Sequence, residues 1–167
     1  MQQPEPVHKP TIKVIGIATR TTNHDETSSA TAKIPGMWAK FYQENISEKV
    51  PNKVHPDRVL AVYTDYESDE QGAYTYILGF EVASFEQVPE GMLAKELPAS
   101  SYTVFTSRKG PVPQIILETW QEIWQASHDG LARSFSGDFE VYDARSHDSQ
   151  HAEVDVYIAV RSPGTGR

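Results

Sequence analysis

The chain has 167 residues, 38% of them hydrophobic, which is one domain's worth of sequence with enough length to bury a core. Lys and Arg number 15 against 23 Asp and Glu, a net charge of −8, which is the wrong sign for a protein held to nucleic acid by counterion release. There is no cysteine, so disulfides, zinc–thiolate sites and thiol nucleophiles are excluded together.

The opening MQQPEPVHKP lacks the basic start and apolar stretch of a signal peptide, and no run reaches the roughly 20 apolar residues of a membrane helix. A soluble cytoplasmic protein without a membrane partner is expected. Residues 1–10 are rich in proline and read as a disordered tail, as do residues 162–167, leaving 11–161 as the domain.

Ile12 to Ala18 is a β-branched run and predicts a first strand. Asn23 and Asp25 are candidate helix caps. Ile34, Trp38, Phe41 and Ile46 recur at near-helical spacing, and Pro35-Gly36 predicts a break, with the helix proper running from Met37 to Ile46. Arg58 to Tyr66 and Ala73 to Ala83 read as two strands of a hairpin. Ser84 to Pro98 reads as a connector and Ser101 to Ser107 as a fourth strand. Ile116, Leu117, Trp120, Ile123 and Trp124 form one face of a second helix, with Pro113 suited to its first turn. Phe139 to Asp143 and Val154 to Val160 are the last strands.

The order is strand, helix, strand, strand, stated twice. Two such units make an α+β fold, one antiparallel sheet with two helices packed on one face.

Period-two alternation then sorts the side chains. Tyr74, Tyr76, Leu78 and Phe80 share one face of their strand, while Thr75, Ile77, Gly79 and Glu81 share the other. Gly79 interrupts a bulky strand, which marks a bulge or a close approach. Phe139 and Val141 face one way, Glu140 and Tyr142 the other. On a one-sided sheet Glu140 would face solvent; in a pocket walled by rings it would take up a proton or await a cation. Trp38, Trp120 and Trp124 admit the same two readings, as core or as groove wall, and Glu81 is the weaker carboxylate because it sits near a strand end. His147 and His151 stand four apart in a polar turn, which makes a solvated loop and assigns no metal. No GxSxG, Walker A, GxGxxG or HExxH pattern is present, and no cofactor is expected.

Ile15-Gly16-Ile17, Met37-Trp38 with Phe41, Val62-Tyr63-Thr64-Asp65-Tyr66, the run from Tyr74 to Val82, and Phe139-Glu140-Val141-Tyr142-Asp143 together resemble the GyrI-like small-molecule-binding family. This is the effector-binding domain also found in AraC-type and multidrug-responsive MerR-type regulators. The resemblance runs over nearly all of residues 11–161 and implies a pseudo-twofold sheet with a ligand groove between two helices. It puts the family's acidic pocket residue at Glu140 and draws aromatic walls from Trp38, Tyr63, Tyr76, Phe80, Trp120 and Tyr142. The sequence departs from the fused regulators in having no helix-turn-helix before residue 11, so direct DNA binding is not expected and a separate regulator protein would be the partner. Pro35-Gly36 is a second departure and would reshape the groove beside Trp38.

Three functions follow. The first is a stand-alone module that senses or sequesters a lipophilic cation. The second is a hydrolase of reactive electrophiles, with Glu140 as base and Tyr63 or Tyr142 as acid. The third is a protein-interaction role of the kind the gyrase-inhibitor name suggests.

Overall fold

The computed structural model describes residues 6–69 and 71–161. In chain order these form strands β1 (Val7–Lys9) and β2 (Ile12–Thr22), helices α1 (Asn23–Glu26), α2 (Ile34–Gln43) and α3 (Ile46–Lys49), strands β3 (Val59–Thr64), β4 (Ala73–Glu81), β5 (Leu93–Leu97) and β6 (Ser100–Thr106), helix α4 (Gln114–His128), and strands β7 (Asp138–Tyr142) and β8 (Asp155–Val160). A short 3-10 turn, Ala144–Ser146, follows β7.

All eight strands join one antiparallel sheet in the order β1-β6-β8-β7-β3-β4-β2-β5. Its seam is the β3–β7 pair, with Ala61 opposite Glu140 and Tyr63 opposite Asp138. The strand-helix-strand-strand unit occurs on each side of that seam, as expected. Two further strands complete it. Each of β1 and β5 runs just before the first long strand of its own half yet pairs with that of the other: β1 with β6 and β5 with β2.

These two strands correct the sequence reading. Residues 7–9 of the expected tail are paired strand, and Leu93–Leu97 of the expected connector is an edge strand. Both are short and lie at the sheet margins, and in β5 only Leu97 is buried, so neither carries the alternation that betrays a half-buried strand. Residues 1–5 and the expected tail at 162–167 lie outside the described residues.

The two faces of the sheet bury different clusters. Ile15, Ile17, Tyr63, Tyr74, Tyr76, Leu78 and Phe80 face the helices and pack with Met37 and Phe41 of α2 and Trp120 and Ile123 of α4. Val14, Leu60, Val62, Ile77, Phe139 and Val141 face the other way, packed with Leu97 and Tyr102. Leu97 and Tyr102 belong to strands far apart in sheet order, so the sheet curls into a half-barrel over this second cluster. Gly16 and Gly79 stand opposite each other on β2 and β4. A Cβ at Gly79 would lie 2.0 Å from the Ile15 carbonyl oxygen, so the close approach foreseen at that glycine is to the neighbouring backbone.

The break foreseen at Pro35-Gly36 does not occur. Pro35 lies in the first turn of α2, where its missing N–H has no helical partner to lose. The helix instead stops at Gln43, and Ile46 opens the separate α3 after Asn45 takes a left-handed φ of 52°. Thr22, rather than Asn23 or Asp25, caps α1, its hydroxyl accepting from the Asp25 amide at 2.9 Å. No helix among the described residues is long and apolar enough to cross a membrane.

Candidate ligand-binding site

A cavity of about 610 Å³ opens between α2, α4 and the helix-facing side of the sheet. Its floor is tyrosine because successive even positions of β4 and odd positions of β3 point the same way: Tyr63, Tyr74 and Tyr76 all line it. Trp38 and Tyr42 come from one turn of α2, while Ile116, Trp120 and Trp124 come from an i, i+4, i+8 row along α4. That row splits the apolar face expected for α4. Ile115, Thr119 and Ile123 go into the core, and Leu117 is 54% exposed at the rim.

Glu140 lies on the floor and is 1% exposed. Its cross-strand neighbours are Ala61 and Val156. Three donors meet the carboxylate. The Tyr63 hydroxyl donates to Oε2 at 2.7 Å and Trp120 Nε1 donates to the same oxygen at 2.8 Å. The Tyr142 hydroxyl donates to Oε1 at 2.6 Å. Burial pushes the Glu140 carboxyl above its ordinary value, and the donated bonds pull back only in part. The phenols of Tyr63, Tyr76 and Tyr142 are raised well above theirs by the same burial and then by the carboxylate beside them, so they stay protonated donors.

The rings interlock around this carboxylate. Tyr63 packs 5.2 Å from Tyr76 and 5.0 Å from Trp120, and Trp38 stands edge-on to Tyr142 at 4.8 Å. Trp38 Nε1 donates to the Tyr76 hydroxyl at 3.0 Å, which fixes the α2 wall to the floor. Of the residues expected in the groove, Trp38, Tyr63, Tyr76, Trp120, Glu140 and Tyr142 converge on the cavity. Phe80 does not. It points to the same side of β4 but lies further along the strand, stacked on Phe41 at 5.8 Å and beneath the Lys53 ammonium.

Several residues escaped the sequence reading. Glu26 lines the cavity and accepts from the Lys33 and Ile34 amides at 2.9 and 3.2 Å, clamping the start of α2. Arg133 also lines it, 5% exposed, with Nη2 donating to Asp138 Oδ2 at 2.9 Å. The Tyr66 hydroxyl donates to the same oxygen, and the Ala159 amide donates to Oδ1 at 2.7 Å. The Arg133 guanidinium lies 4.3 Å above the Phe135 ring, a residue held at a left-handed φ of 56°. The alternation Asp138-Phe139-Glu140 was the one available signal, since it puts both acids on one face. Glu81 sits on the far side of the sheet, and His147 and His151 are on an exposed loop.

The chain as a whole matches a known family. The family model Cass2, integron-associated effector binding protein, fits residues 7–160. The chain belongs to that family. The family is GyrI-like and one of small-molecule effector binders, so the resemblance read from the sequence holds. YobU of Bacillus subtilis (strain 168), which carries the name of a transcriptional regulator, is 36% identical over 146 residues, spanning 87% of this chain and 90% of YobU. The integron cassette protein VCH_CASS2, from the mobile metagenome of Vibrio cholerae, superposes with a TM-score of 0.76 at 31% identity, covering 96% of this chain and 97% of that one. SAV2435, solved bound to tetraphenylphosphonium, shares the fold at a TM-score of 0.76 and 18% identity, over 97% and 95% of the two chains.

Proposed function

We propose that this effector-binding protein is a receptor for a lipophilic cation, which it senses or sequesters in the cavity between α2 and α4. The observation that carries the reading is Glu140: a buried carboxylate on the cavity floor whose hydrogen-bond partners are all neutral groups. An ionised carboxylate in such surroundings is held up by dipoles alone, and a cation entering the cavity would supply the missing charge. The surrounding rings offer faces to a delocalised cation, each good contact adding about 0.5–2 kcal/mol. Tetraphenylphosphonium in the similarly folded SAV2435 is a ligand of this chemical class. A link to transcription regulation would be in keeping with the regulator name of YobU.

The same geometry weighs against hydrolysis. A general base needs an open acceptor site for water, and three of the roughly four on the Glu140 carboxylate are already taken by Tyr63, Trp120 and Tyr142.

Tetraphenylphosphonium and tetraphenylborate have the same shape and opposite charge, so titrating both into the protein, followed by tryptophan fluorescence, tests the reading. The cation binds and the anion does not, and Glu140→Gln weakens the cation about tenfold or more. Equal binding of the two ions, or an unchanged affinity in Glu140→Gln, overturns it.

A further inference from the structure

The cavity has a second polar station beside Trp120, away from its bond to Glu140. Trp120 turns its Nε1 to Glu140 while its ring faces Arg133, with the guanidinium 5.8 Å away, and Trp124 lies 6.3 Å from it along α4. Trp124 and Arg133 both line the cavity. Among the described residues, the buried side-chain nitrogens with no hydrogen-bond partner are Trp124 Nε1, Arg133 Nε and Arg133 Nη1. All three are donors. The Phe135 ring lies under the guanidinium and offsets part of its lost hydration, and the carboxylate of Asp138 takes Nη2. Trp124 Nε1 has no such relief. A buried N–H without an acceptor is costly, and every other indole in the cavity has one, Trp38 in Tyr76 and Trp120 in Glu140.

From this we infer that the ligand carries a hydrogen-bond acceptor as well as a positive centre: a carbonyl, ester or carboxylate oxygen received by Trp124 Nε1 in the field of Arg133, with the cation over Glu140. The inference rests on the cation-receptor reading and adds to it the chemistry of the ligand's other end. Trp124 lines the cavity and is only partly buried as a residue, while its Nε1 is buried. The Tyr66 hydroxyl, on a ring 6.0 Å from the Arg133 guanidinium, is committed to Asp138, so the unpartnered donors at this station are those of Trp124 and Arg133. Trp124 is thus a specificity residue that distinguishes an acceptor-bearing cation from a purely hydrocarbon one.

The test uses a matched pair of probes: a triphenylphosphonium with a phenyl ketone on a short alkyl tether, and the same cation with the ketone reduced to methylene. Trp124→Phe keeps a ring and removes the N–H. It weakens the ketone about fivefold to tenfold and leaves the methylene probe within about twofold, while Glu140→Gln weakens both. In wild-type protein labelled with ¹⁵N-tryptophan, the Trp124 indole N–H resonance moves downfield with the ketone and not with its partner, a readout that needs no folded variant. Equal loss of both probes in Trp124→Phe, or no difference between them in the wild type, overturns the inference. Failure of the methylene probe to bind, or its indifference to Glu140→Gln, would instead strike the cation reading itself.

Discussion

Asp138 and Glu140 stand two residues apart on the same face of β7, both fully buried, and only Asp138 has a cation. Arg133 sits 2.9 Å from Asp138, whereas Glu140 is met by two phenols and an indole. One carboxylate has its counter-ion within the fold; the other has only neutral partners and is the proposed seat of the cation. Substitutions at the two positions therefore act in opposite directions.

Asp138→Asn leaves the Arg133 guanidinium buried without its counter-ion, and we expect it to cost about 3–5 kcal/mol in a denaturant titration. Glu140→Gln removes a buried charge while keeping a carbonyl oxygen for the surrounding donors, so ligand-free stability at neutral pH is unchanged or raised. A large loss in both variants would mean that Glu140 is structural.

The pH dependence of stability has a defined sign. Burial raises Glu140 in the folded state above its ordinary value of 4.5, so the native protein holds an extra proton between the unfolded and folded values. Its contribution is complete below the unfolded value and is lost as pH rises through the folded one. Thermal melts across that window should fall more steeply with pH for the wild type than for Glu140→Gln.

Cation binding runs the other way. It needs the carboxylate, so tetraphenylphosphonium affinity climbs by up to about tenfold per pH unit below the folded value of Glu140 and levels off above it. Binding releases a proton in the climbing range, and calorimetry in buffers of different ionisation enthalpy measures that release.

Tyr142→Phe separates charge from shape. It removes the 2.6 Å bond that favours the ionised form of Glu140, yet leaves a ring for Trp38 to pack against. The pH midpoint of cation binding should move upward, with affinity at high pH reduced by a few-fold at most.

Two glycines give opposite outcomes in melting experiments. Gly79→Ala forces a methyl against the β2 backbone and should cost about 3 kcal/mol, because neither strand can yield without losing its ladder. Gly36→Ala lies in the first turn of α2 with nothing within 4 Å and should stabilise by about 0.5–1 kcal/mol.

The groove was legible wherever side-chain period alone decides direction. Alternation on β4 and β7 put Tyr74 and Tyr76 on one face and Glu140 and Tyr142 opposite Phe139 and Val141, as the two clusters now show. It could not separate Phe80 from Tyr76, since a period of two gives the side of a sheet but not the distance along it to the nearest helix. Glu26 and Arg133 gave no local signal, because each acts on a partner brought near only by the chain's path.

By itself, then, the sequence determined the strand-helix-strand-strand repeat and the side of the sheet on which Glu140 lies, because both follow from short-range backbone geometry. Only the tertiary structure decided that this side is roofed by α2 and α4, that Arg133 neutralises Asp138, and that Glu140 keeps neutral partners. Those are outcomes of packing between elements distant in sequence, and burial, which sets the energy of a charge, exists only once they meet.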